Sequence, residues 1–206
     1  MYQHGICFIT DQTHSAMPAY EMVRHVLDAG IGFIQYRAKD LSRRDTCIEA
    51  GRLRELTSRY HAVLIINDHA DIALAVDADG VHLGQDDLPL CEARRIMGRK
   101  IIGISTHDLE QAKDAEAGGA DYIGFGPIFH TITKDAGKPK GVDILKAIKQ
   151  NVSVPVVAIG GIGVETAADV MQAGADAVAV ATAICRGDLR NNAKMLNDII
   201  RTYTGG

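Results

Sequence analysis

The chain has 206 residues, of which 47% are hydrophobic and 23% charged, and its net charge is −4. This length suits one domain with a sizeable core, and the slightly acidic balance argues against a general binder of nucleic acids or membrane surfaces, since both need a broad basic field. The four cysteines form no CxxC pair, so we expect free thiols and no zinc knuckle. The N-terminus lacks the features of a signal peptide and no apolar run is long enough to span a bilayer, so we expect a cytoplasmic protein.

Short apolar runs alternate with amphipathic stretches along the whole chain. The predicted strands are residues 6–10, 32–37, 63–67, 80–83, 101–105, 122–126, 156–160 and 177–180. The predicted helices include residues 17–29, 42–59, 109–118, 142–150, 164–173 and 191–201. Strand and helix recur about eight times, roughly every 25 residues, which is the rhythm of parallel βαβ units. The sequence therefore predicts an α/β protein, a single (β/α)₈ TIM barrel over residues 1–206. A doubly wound sheet of six or seven strands is the alternative.

Two stretches that lead into predicted strands look alike. Residues 117–121 read Ala-Gly-Gly-Ala-Asp, and residues 173–176 read Ala-Gly-Ala-Asp. Glycine directly after a helix is a common stop signal, so both stretches are expected to end a helix just before a strand. Their likeness is typical of repeated units within one barrel.

Polar residues gather where the predicted strands end. In a barrel, the carboxyl ends of the strands and the loops after them form the active face. Nearly every predicted strand delivers polar residues or glycines to that rim, His82 and His107 among them. We expect His82 to be a packed supporting residue rather than a catalyst. The one long connection, residues 127–140, follows the sixth strand, and a loop of that length in a compact domain is usually functional.

The second predicted strand ends with alternating polar residues. Gln35, Arg37 and Lys39 are spaced by two, so their side chains share one face while the strand stays extended. A guanidinium fork next to an ammonium group suits a di-anion such as pyrophosphate. An exposed strand end within a charge network is the alternative interpretation.

Two aspartates follow neighbouring strands. Asp68 comes directly after the third strand and Asp87 shortly after the fourth, and adjacent parallel strands lie about 4.8 Å apart. Two carboxylates without a histidine–cysteine set suit Mg²⁺, which binds one or two carboxylates together with substrate phosphate oxygens. The alternatives are that Asp68 caps a short helix and that Asp86, rather than Asp87, is the ligand.

Two further segments are candidates for anion binding. Residues 160–163 read Gly-Gly-Ile-Gly and precede a predicted helix, where bare backbone N–H groups suit a phosphate, with the Thr182 hydroxyl nearby. A plain tight turn is the alternative. Lys134, flanked by Thr131 and Thr133, lies on the long loop and would supply the cation needed for closure over a phosphorylated substrate. The alternative is a charged loop that is exposed to solvent and binds no ligand. The nucleotide motifs GxGxxG and GxxxxGK[ST] do not occur.

Taken together, these stretches resemble the thiamine-phosphate synthase family. The resemblance covers essentially the whole chain. The matching stretches are residues 35–40 (QYRAKD), 65–69 (IINDH), 80–87 (GVHLGQDD), 103–107 (GISTH), 126–129 with 131–134 (GPIF and TITK) and 157–162 (VAIGGI). Each stretch alone is a weak signal. Six of them in order, each at its own strand end, are highly specific.

The resemblance implies a transferase that joins hydroxymethylpyrimidine diphosphate to a thiazole phosphate and releases pyrophosphate. In such a reaction the pyrimidine diphosphate ionises to a stabilised carbocation, which the thiazole nitrogen traps. The protein must then stabilise a leaving group and position two partners, and it needs no strong base. The resemblance also implies Mg²⁺ bound by Asp68 and Asp87, small-molecule substrates and a possible homo-oligomer.

The resemblance assigns roles residue by residue. The implied catalytic residues are Arg37, Lys39, Ser105 and Lys134. The implied contacts to the pyrimidine diphosphate are Gln35, Tyr36, Arg37, Ala38, Lys39, Asn67, Ser105 and Lys134. The implied contacts to the thiazole phosphate are Thr131, Ile132, Thr133, Gly161, Ala181 and Thr182.

The chain departs from the family pattern in three places. His130 stands where the family usually has proline, the stretch after Lys134 is slightly shorter than usual, and Thr182 replaces a commoner serine while keeping the hydroxyl. The first two departures bear on the geometry and closure of the loop after the sixth strand rather than on the chemistry.

Three other functions compete with the synthase. The nearest is the related thiazole tautomerase, an isomerase on the same barrel that uses a histidine near the sixth strand, where this chain has Pro127. The second is a non-catalytic phosphate-ligand sensor. The third is an epimerase of the ribulose-phosphate type, which needs an acid and a base on opposite faces of one carbon. The intact pyrophosphate clamp and aspartate pair favour the synthase over the first two, although His130 keeps the tautomerase open as an alternative. For the third, no such acid–base pair can be placed in the sequence.

Overall fold

The protein is described by a computed structural model, which covers residues 5–13, 15–131 and 137–204. Over these residues, eight parallel strands close into a barrel in chain order. The strands are β1 (Gly5–Ile9), β2 (Phe33–Tyr36), β3 (Val63–Asn67), β4 (Gly80–Leu83), β5 (Ile101–Thr106), β6 (Tyr122–Phe125), β7 (Val156–Ile159) and β8 (Ala177–Val180). The first and last strands pair directly, Gly5 beside Ala177 and Phe8 beside Val180. The predicted (β/α)₈ barrel is confirmed, and this closure excludes the open doubly wound sheet.

Helices follow the strands and surround the barrel. They are α1 (Ala19–Asp28), α2 (Arg43–Arg59), α3 (Ala70–Ala75), α4 (Leu90–Met97), α5 (Leu109–Ala117), α6 (Gly141–Asn151), α7 (Ala167–Gln172), α8 (Thr182–Cys185) and α9 (Leu189–Thr204). Ser42 caps α2, its hydroxyl accepting the Asp45 N–H at 3.1 Å. Among the described residues, no helix has both the length and the apolar character needed to cross a membrane.

Three short helices, α3, α4 and α8, were not among the helices named from the sequence. Each spans eight residues or fewer, which is too short for a clear period of 3.6 residues. The helix predicted from residue 164 begins instead at Ala167. Residues 164–166 form a turn in which the Thr166 hydroxyl accepts the Gly163 N–H at 3.0 Å.

The pleat of the strands sorts their side chains into two apolar clusters. The smaller cluster fills the inside of the barrel and contains Cys7, Ile9, Phe33, Ile65, Tyr122, Val157, Ala177 and Ala179. The larger cluster joins the outer faces of the strands to the helices. Inside the barrel, the rings of Phe33 and Tyr122 meet edge to face with centroids 5.8 Å apart. Because both residues begin their strands, they fill the interior near its amino end.

Three aspartates repeat one arrangement at the amino ends of the strands. Asp79, Asp121 and Asp176 directly precede β4, β6 and β8. Each carboxylate accepts an N–H from the start of the preceding strand, which is β3, β5 or β7. Each also binds a basic side chain of the helix that leads into that preceding strand. Asp79 accepts the Leu64 N–H at 2.7 Å and binds Arg54 at 2.8 Å. Asp121 accepts the Ile102 N–H at 2.8 Å and binds Arg94 at 2.6 Å. Asp176 accepts the Val156 N–H at 2.7 Å and binds Lys149 at 2.5 Å. The likeness of the two Ala-Asp stretches in the sequence thus reflects a structural repeat.

We expect Asp176→Ala to lower the free energy of unfolding by about 1.5–3 kcal/mol, because it removes a charge-assisted acceptor and leaves the Val156 N–H and the Lys149 ammonium without it. Urea unfolding measures the change. Turnover of the folded variant should be unaltered, since Asp176 lies at the amino end of the barrel. The matched control is Asp198→Ala, an exposed aspartate on α9. Equal unfolding midpoints for the two variants would contradict this account.

Candidate active site

A cavity of about 540 Å³ lies at the carboxyl ends of the strands. The predicted site residues that line it are Gln35, Arg37, Asn67, Ser105, Thr131, Gly161, Ala181 and Thr182. They come from β2, β3, β5 and the segments after β2, β6, β7 and β8, so the closed barrel brings together residues from distant parts of the sequence. A smaller cavity of about 200 Å³ adjoins it and contains Lys39. Arg37 lines both cavities, so the predicted clamp lies where they meet.

The end of β2 is fixed to the end of β1 at this point. The Arg37 N–H donates to the Thr10 hydroxyl oxygen at 2.9 Å, and that hydroxyl lies 3.1 Å from the Arg37 carbonyl. Thr10 is buried. These bonds hold the Arg37 backbone and direct its side chain towards the cavity, as the spacing of Gln35, Arg37 and Lys39 predicts.

Tyr36 and Ala38, which the family resemblance also assigns to the substrate, do not line the cavity with their side chains. The pleat turns them outward, where both pack with the cluster between barrel and helices. The Tyr36 ring is buried, and its hydroxyl donates to Glu49 of α2 at 2.5 Å. Burial and the Glu49 carboxylate both raise the pKa of Tyr36. Only the backbone of these two residues is left to serve a ligand.

Asp68 and Asp87 lie close enough to influence each other and to feel the charge of Arg37. Arg37 lines both cavities, whereas neither aspartate is among the residues that line them. Burial raises the pKa of Asp68, the negative charge of Asp87 raises it further, and the Arg37 cation opposes both effects. Two carboxylates held this closely repel each other when ionised, and a cation between them relieves the repulsion.

The structure favours Asp87 over Asp86 as the partner of Asp68. Asp87 is half-buried and its carboxylate accepts the Gly84 N–H at 2.6 Å, whereas Asp86 is exposed. A Cβ on residue 84 would lie 3.0 Å from the Asp87 carboxylate, so glycine leaves room for it. The helix-cap alternative for Asp68 is not observed. The N-cap of α3 is His69, and Asp68 has a left-handed backbone with φ of +65°.

Ser105 is held from two sides by the 80–87 stretch. The His82 Nε2 atom lies 2.9 Å from the Ser105 hydroxyl, and the Gln85 amide donates to the Ser105 carbonyl at 2.6 Å. On its other side, His82 Nδ1 lies 2.9 Å from the Tyr122 hydroxyl. His82 is buried, as expected for a supporting residue.

The Gly-Gly turn after β7 supports the segment that follows β6. The N–H groups of Ile128 and Phe129 donate to the carbonyls of Ile159 and Gly160, both at 2.9 Å. Gly161 has a φ of +66°, and a Cβ there would lie 2.5 Å from the His130 carbonyl, so only glycine fits. These glycines do not lead directly into a helix as predicted, because α7 begins only at Ala167. A helix start does occur after β8, where Thr182 begins α8.

Three predicted site residues, Ile132, Thr133 and Lys134, lie outside the described residues.

Comparison with known proteins places the chain in a family. Residues 6–184 match the family model described as thiamine monophosphate synthase. The chain belongs to this family. It is 52% identical over 168 residues to the thiamine-phosphate synthase of Chloroflexus aurantiacus, covering 81% of this chain and 78% of that protein. It is 44% identical over 196 residues to the thiamine-phosphate synthase of Methanosarcina barkeri, covering 94% and 89%.

Solved structures agree with this assignment to the thiamine monophosphate synthase family. The thiamine phosphate pyrophosphorylase from Pyrococcus furiosus superposes with a TM-score of 0.92 at 38% identity, and the match covers 99% of this chain and 98% of that one. A 3-hexulose-6-phosphate synthase superposes with a TM-score of 0.74 at 19% identity, which shows a shared barrel fold alone. The order of the six matching stretches in the sequence had pointed to the same family.

Two charged residues that line the cavity, Asp11 and Arg186, were not predicted from the sequence. Asp11 follows β1 and is buried, and its carboxylate accepts the Thr13 N–H at 3.1 Å. The strand-end rule would have found it, had it been applied to the first strand. Arg186 lines the cavity together with Thr182. It lies beyond α8, and no strand-end pattern points to it.

We expect Asp68→Asn to stabilise the metal-free protein at neutral pH and to weaken its response to Mg²⁺. Because folding raises the pKa of Asp68, this carboxyl group favours folding while protonated, and that contribution is lost as the pH rises through the raised pKa. Asparagine stays neutral, so the variant should melt at a higher temperature than the wild type at neutral pH. Below the ordinary carboxyl pKa of 3.8 the two should melt alike.

Thermal melting across pH, with and without Mg²⁺, measures both effects. The wild type should gain stability with added Mg²⁺, because a ligand that binds the folded state raises its melting temperature. The variant should gain less. Asp86→Asn is the matched control and should melt and respond like the wild type. A variant that responds fully to Mg²⁺ would show that Asp68 is not a ligand.

Proposed function

We propose that this chain is a thiamine-phosphate synthase. It condenses hydroxymethylpyrimidine diphosphate with a thiazole phosphate to give thiamine phosphate and pyrophosphate. The observation that carries the proposal is two adjoining cavities that share Arg37, with the cationic clamp and the nearby aspartate pair at one side and the glycine turn and the start of α8 at the other. The curated relatives, up to 52% identical, carry that name.

The clamp side suits the leaving group. The bond between the pyrimidine methylene carbon and the diphosphate oxygen breaks, and its electron pair leaves with pyrophosphate. Arg37 and Lys39 place positive charge where that negative charge develops, which is the main demand of an ionisation. Gln35, buried at the same strand end, offers an amide donor. Lys134, by resemblance to the family, adds a further cation.

The aspartate pair fits Mg²⁺. Asp68 and Asp87 offer only oxygen donors, and burial together with the negative charge of Asp87 raises the pKa of Asp68. Among the described residues there is no cluster of three or more metal-binding side chains, so the remaining ligands would come from substrate and water. When bound, Mg²⁺ supplies positive charge to the phosphate oxygens of the leaving group. The two aspartates would hold it near Arg37.

The opposite side suits the thiazole phosphate. Ala181, Thr182 and Gly161 line the cavity there, and α8 begins at Thr182. Arg186 adds a guanidinium to the same wall. The thiazole nitrogen then attacks the pyrimidine methylene carbon, and its lone pair forms the new C–N bond. The protein contributes chiefly the positioning of the two partners.

The retained clamp also separates this proposal from the alternatives. A tautomerase or a sensor needs no site for a departing pyrophosphate. Pro127, at the position expected for the tautomerase histidine, lines the cavity. The relatives and the solved neighbour, named for the synthase and the pyrophosphorylase, support the transferase.

The deciding experiment measures pyrophosphate release. Purified protein is mixed with hydroxymethylpyrimidine diphosphate, thiazole phosphate and Mg²⁺, and each component is left out in turn or the metal is chelated with EDTA. Release that needs both substrates and the metal is the expected result. If folded protein releases nothing but isomerises the carboxylated thiazole phosphate, the tautomerase replaces the synthase.

We expect Arg37→Ala to lower kcat/KM for the pyrimidine diphosphate by about 10- to 150-fold, since it removes a charge-assisted bond to the leaving group. Steady-state pyrophosphate release at varied concentrations of each substrate measures the loss. The matched control is Arg95→Ala, an arginine on α4 that pairs with Glu92 and should leave kcat/KM unaltered. If the two variants have equal activity, Arg37 has no part in the reaction.

A further inference from the structure

Three polar residues form a chain from the cavity into the barrel interior. The Ser105 hydroxyl lies 2.9 Å from His82 Nε2, and His82 Nδ1 lies 2.9 Å from the Tyr122 hydroxyl. Ser105 and His82 both line the cavity, although His82 is only 8% exposed, and Tyr122 is 1% exposed. The residues lie on β5, β4 and β6, which are adjacent in the sheet.

The surrounding backbone is shaped to admit the two rings. A Cβ on residue 103 would lie 2.1 Å from Tyr122 Cζ, and a Cβ on residue 124 would lie 3.0 Å from His82 Cε1. Both positions are glycine. The imidazole stacks on the phenol ring with centroids 5.4 Å apart and an angle of 29° between the planes. The rings are therefore held in one arrangement relative to each other and to Ser105.

Packing alone does not account for the polar atoms. The neighbouring interior cluster consists of apolar side chains and Cys7, and a phenylalanine or leucine would fill comparable space without a polar group to desolvate. Burying a hydroxyl and an imidazole is tolerated because they bond to each other. The chain of bonds ends at Ser105, a residue that the family resemblance assigns to the aminopyrimidine.

Elementary acidity sets the direction of the hydrogens. A phenol has a pKa near 10, far below that of an alcohol, so it is the better donor to a basic imidazole nitrogen. Tyr122 then donates to Nδ1, the His82 proton resides on Nε2, and Nε2–H donates to the Ser105 oxygen. The Ser105 hydroxyl keeps its own hydrogen and one lone pair for the cavity.

We propose that Tyr122 and His82 are positioning residues that fix the Ser105 hydroxyl for the aminopyrimidine substrate. The proposal rests on the proposed synthase function. A free hydroxyl rotates to suit its surroundings, whereas this one is oriented before substrate arrives. Its remaining hydrogen and lone pair match a heterocycle that offers a ring nitrogen as acceptor and an amino group as donor.

A double-mutant cycle tests the coupling. Tyr122→Phe keeps the ring and removes only the hydroxyl, and it should lower kcat/KM for hydroxymethylpyrimidine diphosphate by about 3- to 10-fold. KM for the thiazole phosphate should be unaltered. In a Ser105→Ala background the same substitution should alter kcat/KM by less than about twofold, because the residue on which it acts is gone. A purely structural tyrosine would have the same effect in both backgrounds.

Two controls separate positioning from general loss of structure. Tyr60→Phe also removes a tyrosine hydrogen bond, its hydroxyl donating to Asp28 at 2.7 Å outside the cavity, and it should leave kcat/KM unaltered. His82→Gln keeps a donor amide directed at Ser105, whereas His82→Leu keeps only bulk. Partial activity in the glutamine variant and a larger loss in the leucine variant would support a positioning role for His82.

Other outcomes overturn the proposal. An equal change in kcat/KM from Tyr122→Phe in the two backgrounds, or an equal loss of kcat/KM in the two His82 variants, would show that both residues serve only to pack the barrel interior. Wild-type activity in Ser105→Ala would show that the Ser105 hydroxyl is not needed, which would overturn the positioning proposal but leave the proposed synthase function intact. Absence of pyrophosphate release by the folded wild type would instead refute the synthase function, and the positioning proposal with it.

Discussion

Closure of the parallel sheet between β1 and β8 is the constraint on which the site depends. Because every strand runs in the same direction, every carboxyl end lies on one rim. Gln35 and Thr182, far apart in the sequence, therefore line one cavity. A closed sheet also leaves no unpaired edge, so its backbone hydrogen bonds hold the side chains that line the cavity in fixed relative positions.

The two-residue period of the strands decides which side chains reach that cavity. Gln35 and Arg37 point inward, while Tyr36 between them bonds to Glu49 on the helix side. The same alternation places Tyr122 and His82 inside the barrel, where glycines on β5 and β6 leave room for their rings. The interior thus combines an apolar amino end with a polar path that ends at the floor of the cavity.

The two ends of the barrel use carboxylates in opposite ways. At the amino end, Asp79, Asp121 and Asp176 each accept a backbone N–H and bind a basic side chain, an arrangement that stabilises the fold. At the carboxyl end, Asp68 and Asp87 lie close to each other, and burial and repulsion raise the pKa of Asp68. Such an arrangement destabilises the free protein and is typical of sites that bind a cation or do chemistry.

The barrel, its rim of polar strand ends and the family were predicted from local patterns in the sequence. Eight alternations of strand and helix, and six matching stretches in order, can be recognised without knowledge of the packing. The proposed pyrophosphate clamp was predicted from a spacing of two along an extended strand, and that periodicity is also local. Short helices such as α3 and α8 escaped prediction because they span too few residues to show a period.

Packing in three dimensions distinguishes residues that look equivalent in the sequence. Asp86 and Asp87 are adjacent and chemically identical, and the choice came from which carboxylate turns inward to Gly84 and Asp68. The bonds from His82 to both Ser105 and Tyr122 join three strands, and no local pattern specifies contacts between strands. The sequence determines the residue types and their spacing along each strand, whereas the closed, twisted sheet determines which of them meet.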